Sequence, residues 1–318
     1  MKVLNDYKSI IISRGVALLG LAILVCGGAV SIRGQQLFDS PEVALLALQS
    51  AVKAHDQGAL ATIFGPHLKD LISGDSVADK NAYDEFAARL GKSIKYDKAN
   101  GDKLTIVIGE DDWPFAAPIV KTGDKWKFDT EAGVEELISR RIGENEIDAI
   151  FICQGYALSQ FEYFNGYDWD GDQVSEYAQK IASTPGMKDG LYWEKVEGDE
   201  DESPLGPLFA YAAAEGYKTK SNTTQSAAPF HGYYFKILFG QGAAAPGGKF
   251  SYLINGNMIA GFALVAYPAT YGSSGIMTFV VNQEGRVYEK NLGPQTSAIA
   301  GAMNVYNPDV TWKLVDLD

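Results

Sequence analysis

The sequence predicts an α+β protein of two units, and three observations carry that prediction. Helix signals fill residues 41–90 and strand signals follow over 104–129, the order of helices and then an antiparallel hairpin. A long helical stretch, 131–164, comes next. Residues 229–292 then hold five apolar runs of strand length, separated by clusters of Gly, Pro, Asn and Ser.

Taken from the start, residues 1–34 have the plan of an export signal. Lys2, Lys8 and Arg14 form a positive region, residues 16–25 an apolar core, and Ala29 and Ser31 place small residues at −3 and −1 of a cleavage after Ser31. The other reading is an uncleaved anchor, because residues 15–30 are nearly long enough to span a bilayer. The expected location is therefore exported, periplasmic or extracellular, with membrane contact only through this segment if it is kept.

The first helix opens at Ser40-Pro41-Glu42: an N-cap, a residue suited to the first turn, and an acid at the positive end of the dipole. Leu45, Leu48, Val52 and His55 share one face. A second helix covers 59–64 and stops at Gly65-Pro66, and a third covers 78–90. Strands are expected at 104–109, at 113–121 with Pro114 and Pro118 marking an edge or bulge, and at 125–129 after the Gly123-Asp124 turn. The stretch 131–164 reads as one helix or as two joined at Gly143-Glu144-Asn145. A short helix is expected at 174–181, an acidic exposed loop at 194–202, an Ala-rich helix at 208–216 and a flexible linker at 218–228. The five late runs are 233–239, 250–254, 259–267, 277–281 and 286–290, read as one antiparallel sheet whose last two strands form a hairpin through Gly285. A helix over 294–306 and a closing strand or pad at 312–315 complete the chain. The domain boundaries expected are 1–34, 35–164, 165–228 and 229–318, with a hinge in or near 165–220.

Composition bounds the function. The chain has 318 residues, 46% of them hydrophobic, at a net charge of −13. That is enough for about two packed domains. Lys2, Lys8, Arg14 and Arg33 against Asp6 leave residues 1–34 at +3, so the remainder carries −16. A body that acidic is repelled by nucleic acid and by anionic lipid, and neither is expected as a partner. Cys26 lies in the signal and Cys153 stands alone after it, so no internal disulfide is available. Ile150, Phe151 and Ile152 beside Cys153 predict a buried, inert thiol.

Three patterns resemble known families. Residues 38–130, ending in Trp126-Lys127-Phe128, resemble the NTF2-like (cystatin-like) fold, in which helices pack into a curved sheet. The late sheet resembles the C-terminal part of pilin-like proteins through Gly232-Tyr233-Tyr234-Phe235, Ala266-Tyr267-Pro268 and Gly275-Ile276-Met277-Thr278-Phe279. The chain from Phe38 to Leu314 is identified as a member of a bacterial family known as domain of unknown function 2950. The motifs are Trp113-Pro114-Phe115, Arg140-Arg141-Ile142-Gly143, Ser183-Thr184-Pro185-Gly186, Asp189-Gly190-Leu191-Tyr192-Trp193 and His231-Gly232-Tyr233-Tyr234-Phe235. This likeness implies an exported protein with no assigned activity.

Two function classes are weighed. One is a non-catalytic envelope protein that binds a partner protein or a small ligand. The other is a carboxylate-dependent hydrolase, whose candidates are Asp111 and Asp112 in Glu110-Asp111-Asp112 and His231 before Tyr233 and Tyr234. The bland readings are a strand-end loop for the acids and a backbone-bonded strand entry for His231. Three histidines in all, His55, His67 and His231, leave little material for a zinc site or a triad, and the non-catalytic class is preferred. Separately, Asp168, Asp170, Asp172, Val174 and Glu176 stand at positions one, three, five, seven and nine of a loop resembling EF-hand-like calcium loops. Gln173 replaces the usual Gly at position six and Gln179 the bidentate Glu at twelve. A structural Ca²⁺ is the expected occupant; the bland reading is a solvated acidic turn with Asp172 capping a helix.

Overall fold

Contacts in the computed structural model divide the chain into two compact units, one running to Arg141 and one from Ile142. The structure describes residues 34–71, 75–166, 171, 173–196, 198, 201–214 and 229–316, so the expectation of an export signal falls on residues outside the described ones.

The N-terminal unit begins as its caps dictate. Helix α1, Pro41–Lys53, starts on Ser40, whose hydroxyl accepts from the Val43 N–H. Its buried face holds Leu45, Leu48 and Val52. His55 lies beyond the helix, which ends at Lys53: it is exposed at φ 50°, with its ring 5.6 Å from that of Tyr83. Helix α2, Gln57–Phe64, is capped by Asp56 and runs into a 3₁₀ turn, Gly65–Leu71. Helix α3, Ser76–Lys92, is capped by Asp75, which accepts from the N–H groups of Val77 and Ala78 at 3.1 Å each.

Five strands follow: β1 Ile94–Asn100, β2 Lys103–Ile108, β3 Trp113–Pro114, β4 Ile119–Thr122 and β5 Lys125–Phe128. They form an antiparallel sheet in the order β1-β2-β4-β5, with β3 paired to β2. The run expected over 113–121 is thus split into two short strands, because Pro114 and Pro118 remove ladder donors. Strand β1 was not anticipated. Its sequence, IKYDKAN, lacks apolar alternation, and an edge strand needs none. Helices and sheet enclose Phe38, Phe64, Phe86, Phe115 and Phe128. Phe86 stacks on Phe115 at 5.3 Å and Phe64 lies 5.1 Å from Phe128, so this interior is filled by the unit's own rings.

Helix α4, Thr130–Phe164, is a single helix of 35 residues with no joint at Gly143. The division of the chain falls inside it, at Arg141/Ile142, and not in or near 165–220 as its sequence suggested. The physical reason is burial: Ala149, Ile150, Cys153, Tyr156 and Ala157 of α4 belong to the core of the C-terminal unit.

In that unit, helix α5 is Gly206–Ala214. The strands are β6 Tyr233–Leu238, β7 Gly240–Gln241, β8 Phe250–Ser251, β9 Leu253–Ile254, β10 Asn257–Met258, β11 Ala263–Pro268, β12 Met277–Asn282 and β13 Tyr288–Asn291. Helix α6, Thr296–Gly301, and strand β14, Lys313–Leu314, close it. The main sheet has five antiparallel strands, as expected, in the order β14-β13-β12-β11-β6. Its membership differs. Residues 250–254 pair instead as β8 with β7 and β9 with β10, and β14 takes the fifth place. Tyr252, between β8 and β9, explains the detour: it is fully buried, and its hydroxyl donates to Gln241 Oε1 at 3.1 Å. The predicted hairpin between β12 and β13 is present, closed by Gly285 N–H on Asn282 O with Gly285 at φ 70°. Strand β11 is buried along its whole length. Tyr156 of α4 donates to Ala263 O, and α6 packs on β11. Lys236 Nζ donates to Gly301 O and Met303 O, at 2.7 Å each, tying down the end of α6.

Residues 174–181 are not a helix. They form an extended strap whose backbone bonds go elsewhere. Gln160 of α4 donates to Ala178 O and accepts from Ala178 N–H, both at 2.8 Å, and Tyr177 N–H donates to Met258 O. A fully buried amide that holds both groups of one residue competes successfully with a short, weakly propagating helix.

Candidate functional site

The sequence-predicted residues fall in three places, each described within its own unit. In the N-terminal unit, the loop after β2 carries Glu110, Asp111 and Asp112. It borders an open cavity of about 280 Å³ with Ala88, Arg89 and Lys92 of α3. Gly109 enters the loop at φ 81° and Asp112 leaves it at φ 52°. Asp111 is ion-paired to Arg89 Nη1, and Arg89 also holds Glu85 at 3.0 Å. The hydrogen bond from Arg89 keeps the Asp111 carboxyl below the usual carboxylate range. Asp112 pairs with Lys95 of β1 at 2.6 Å. Both acids are the ends of surface ion pairs, and Asp111 is moved away from the range a general acid needs.

In the C-terminal unit, His231 sits in a two-residue turn. Phe230 and Tyr233 exchange both backbone bonds, at 2.9 and 3.1 Å, across His231 at φ 47° and Gly232 at φ 70°. Positive φ at both central residues is the mirror-image turn that suits a tight hairpin. Gly232 is required: a Cβ there would overlap Asn145 and Ser274. The His231 ring meets helix α4, with Nδ1 at 2.6 Å from Asp148 Oδ2.

Two further side chains of α4 act beside that pair. Asn145 Nδ2 donates to Ser274 O at 2.8 Å. Glu146 Oε1 accepts from the N–H groups of Ile276 and Met277, at 2.8 and 2.9 Å. Asn145, Glu146 and Asp148 therefore clamp the helix to the turn before β6 and to the loop before β12. Sequence reasoning missed this trio. The trio sits in a stretch, 131–148, already rich in charged residues, so no spacing sets it apart. The Ser274 hydroxyl is bonded to Thr270, accepting from its N–H and donating to its O, at 3.0 and 3.2 Å. Cys153 is fully buried, as its apolar neighbours predict, and burial pushes its thiol up, which disfavours the reactive thiolate.

The third place is the acidic loop. Asp168, Asp170 and Asp172 lie outside the described residues. Gln173 takes φ 68°. Glu176 Oε2 accepts from Met258 N–H at 2.8 Å and from Gln179 Nε2 at 3.2 Å. Among the described residues no three His, Cys, Asp or Glu side chains gather as a metal site, and no helix is long and apolar enough to cross a membrane.

A family model described as "Protein of unknown function (DUF2950)" matches residues 35–315. No curated protein and no solved structure matches the chain, so the NTF2-like and pilin-like likenesses remain likenesses of pattern.

Proposed function

The chain belongs to this family of unknown function, and we propose that it is an exported envelope protein that binds or scaffolds and does not catalyse. One observation carries the reading: each described candidate is committed to a partner within the fold. Asp111 is held by Arg89, Asp112 by Lys95, and His231 by Asp148. The N-terminal unit's interior, where a fold of helices on a sheet would place a ligand, is packed with phenylalanine rings. A binding surface on the exterior is the consistent alternative to an internal reaction chamber. Export is supported by the charged start and apolar core of residues 1–34.

The second reading, a carboxylate-dependent hydrolase, draws on one contact. An imidazole held through Nδ1 by a carboxylate has the geometry of an oriented base. Against it, the Ser274 hydroxyl on the loop that abuts Gly232 is bonded to Thr270.

The acidic loop belongs to the same proposal as a structural Ca²⁺ site. Gln173, at position six, adopts the left-handed conformation that Gly supplies in such loops. Thermal unfolding in calcium and in chelator tests it: the midpoint rises with calcium in the wild type and not in Asp170→Ala. An equal response in both disposes of the site.

The binding reading is tested by fractionating cells and by passing an envelope extract over the immobilised chain. It expects recovery in the envelope or outside the cell, with one component retained saturably and released unaltered. A chain found only in cytoplasm, or a retained component released cleaved, overturns it.

A further inference from the structure

Of the three α4 side chains that clamp the helix to the second sheet, one contact changes charge near neutral pH. We infer that His231 and Asp148 form a pH-sensitive lock, holding α4 to the turn before β6 more tightly when the imidazole is protonated. The inference does not depend on whether the protein binds or catalyses.

The turn itself does not ask for histidine. Its first central residue lies at φ 47°, where Asn or Gly is favoured and most side chains are strained. What His231 adds is the 2.6 Å contact with Asp148, beside an edge-on ring contact with Phe230 at 4.3 Å. The contact is largely shielded, with side-chain exposures of 16% for His231 and 32% for Asp148, so solvent screens it less than a surface pair. The His67–Asp70 pair, with exposures of 52% and 42%, is the surface counterpart within the same chain.

Asp148 is the carboxylate in contact with the ring, and its charge favours the imidazolium. On α4, Glu144 lies one turn before Asp148 on the same face, and Glu146 lies between them. The helix's basic residues, Arg140 and Arg141, lie further back. Arg140 is placed over the Trp113 ring, and Arg141 faces the charge of Asp79. The loop before β12 brings Tyr271, whose hydroxyl donates to Asn291, and the turn brings Tyr233, whose hydroxyl donates to Met277 O.

The sign follows. A neutral imidazole can keep an Nδ1–H···O bond to Asp148, but it loses the charge assistance that roughly doubles such a bond. The extra hold is therefore complete below the ordinary imidazole range, about pH 6.5, and is lost as pH rises through the titration of His231 in the folded chain. The lock acts on the turn before β6, while the loop before β12 stays tied to α4 through Asn145 and Glu146.

The test is denaturant unfolding of the full chain between pH 5 and 8.5, for wild type, His231→Asn, Asp148→Asn and His67→Asn. Asn suits the turn, so His231→Asn removes the ring and keeps the backbone. Relative to His231→Asn, the wild type should lose about tenfold in its folding equilibrium constant across that range. Asp148→Asn should abolish that loss, and His67→Asn should retain it. Parallel pH profiles for wild type and His231→Asn, or an undiminished loss in Asp148→Asn, overturn the lock. Should a variant fail to fold, NMR titration of the wild-type rings decides. The His231 resonances must titrate above the ordinary imidazole range, about pH 6.5, and titration below it refutes the proposal.

Discussion

Glu146 offers the sharpest test of how α4 is joined to the second sheet. One oxygen of its carboxylate accepts two backbone N–H groups, from Ile276 and Met277, at 2.8 and 2.9 Å. Both bonds are partly buried, and both involve a charged acceptor. Removing the acceptor strands two donors at about 1–3 kcal/mol each, with some relief from water because the site is not sealed. Glu146→Ala should therefore cost about 3 kcal/mol. Glu146→Gln keeps a carbonyl oxygen and loses only charge assistance, about half the effect. A partial compensation keeps the Gln variant near the low end. Burial raises the Glu289 carboxyl above its ordinary value, and the charge of Glu146 raises it further, so neutralising Glu146 relieves Glu289. Thermal unfolding is the assay: for a unit of this size about 2–4 °C is lost per kcal/mol, or about 6–12 °C for the Ala variant and half that for Gln. Equal midpoints for wild type and Glu146→Ala would refute the clamp.

Other consequences can be checked in the same preparations. Phe86→Ala removes a fully buried ring stacked on Phe115 and should cost about 3–5 kcal/mol in denaturant unfolding. Gln160→Ala strips both bonds from Ala178 and should expose the strap of residues 174–181 to hydrogen exchange, leaving β11 protected. Cys153 should resist thiol reagents in the folded chain and react on unfolding, because burial holds it as the thiol.

Much of the fold is legible where one residue type has one local job. Ser40-Pro41 marks the start of α1, and Gly285 marks the hairpin between β12 and β13. The misread elements are those decided by distant partners. Residues 174–181 have a helical pattern, yet Gln160, distant in sequence, claims their backbone. Gly143 suggests a joint at a helix cost of about 1 kcal/mol, yet the clamp at Asn145, Glu146 and Asp148 holds the helix through it. The polar strand β1 is invisible to a search for apolar alternation. His231 stands out in the sequence as a hydrolase candidate beside Tyr233 and Tyr234, but its partner is Asp148, which no local spacing reveals. The acids at 111 and 112 were legible as a strand-end loop, and their partners Arg89 and Lys95 show why they cluster there.

The central claim is that the conspicuous ionisable residues serve the fold and not a reaction. The most direct measurement is turnover of ester, peptide and peptidoglycan substrates by the purified chain, beside a variant carrying Asp111→Asn, Asp112→Asn and His231→Asn. The account predicts that wild type and variant are indistinguishable in rate while the variant unfolds more easily. Substrate turnover by the wild type that disappears in a variant still folded by circular dichroism would contradict it.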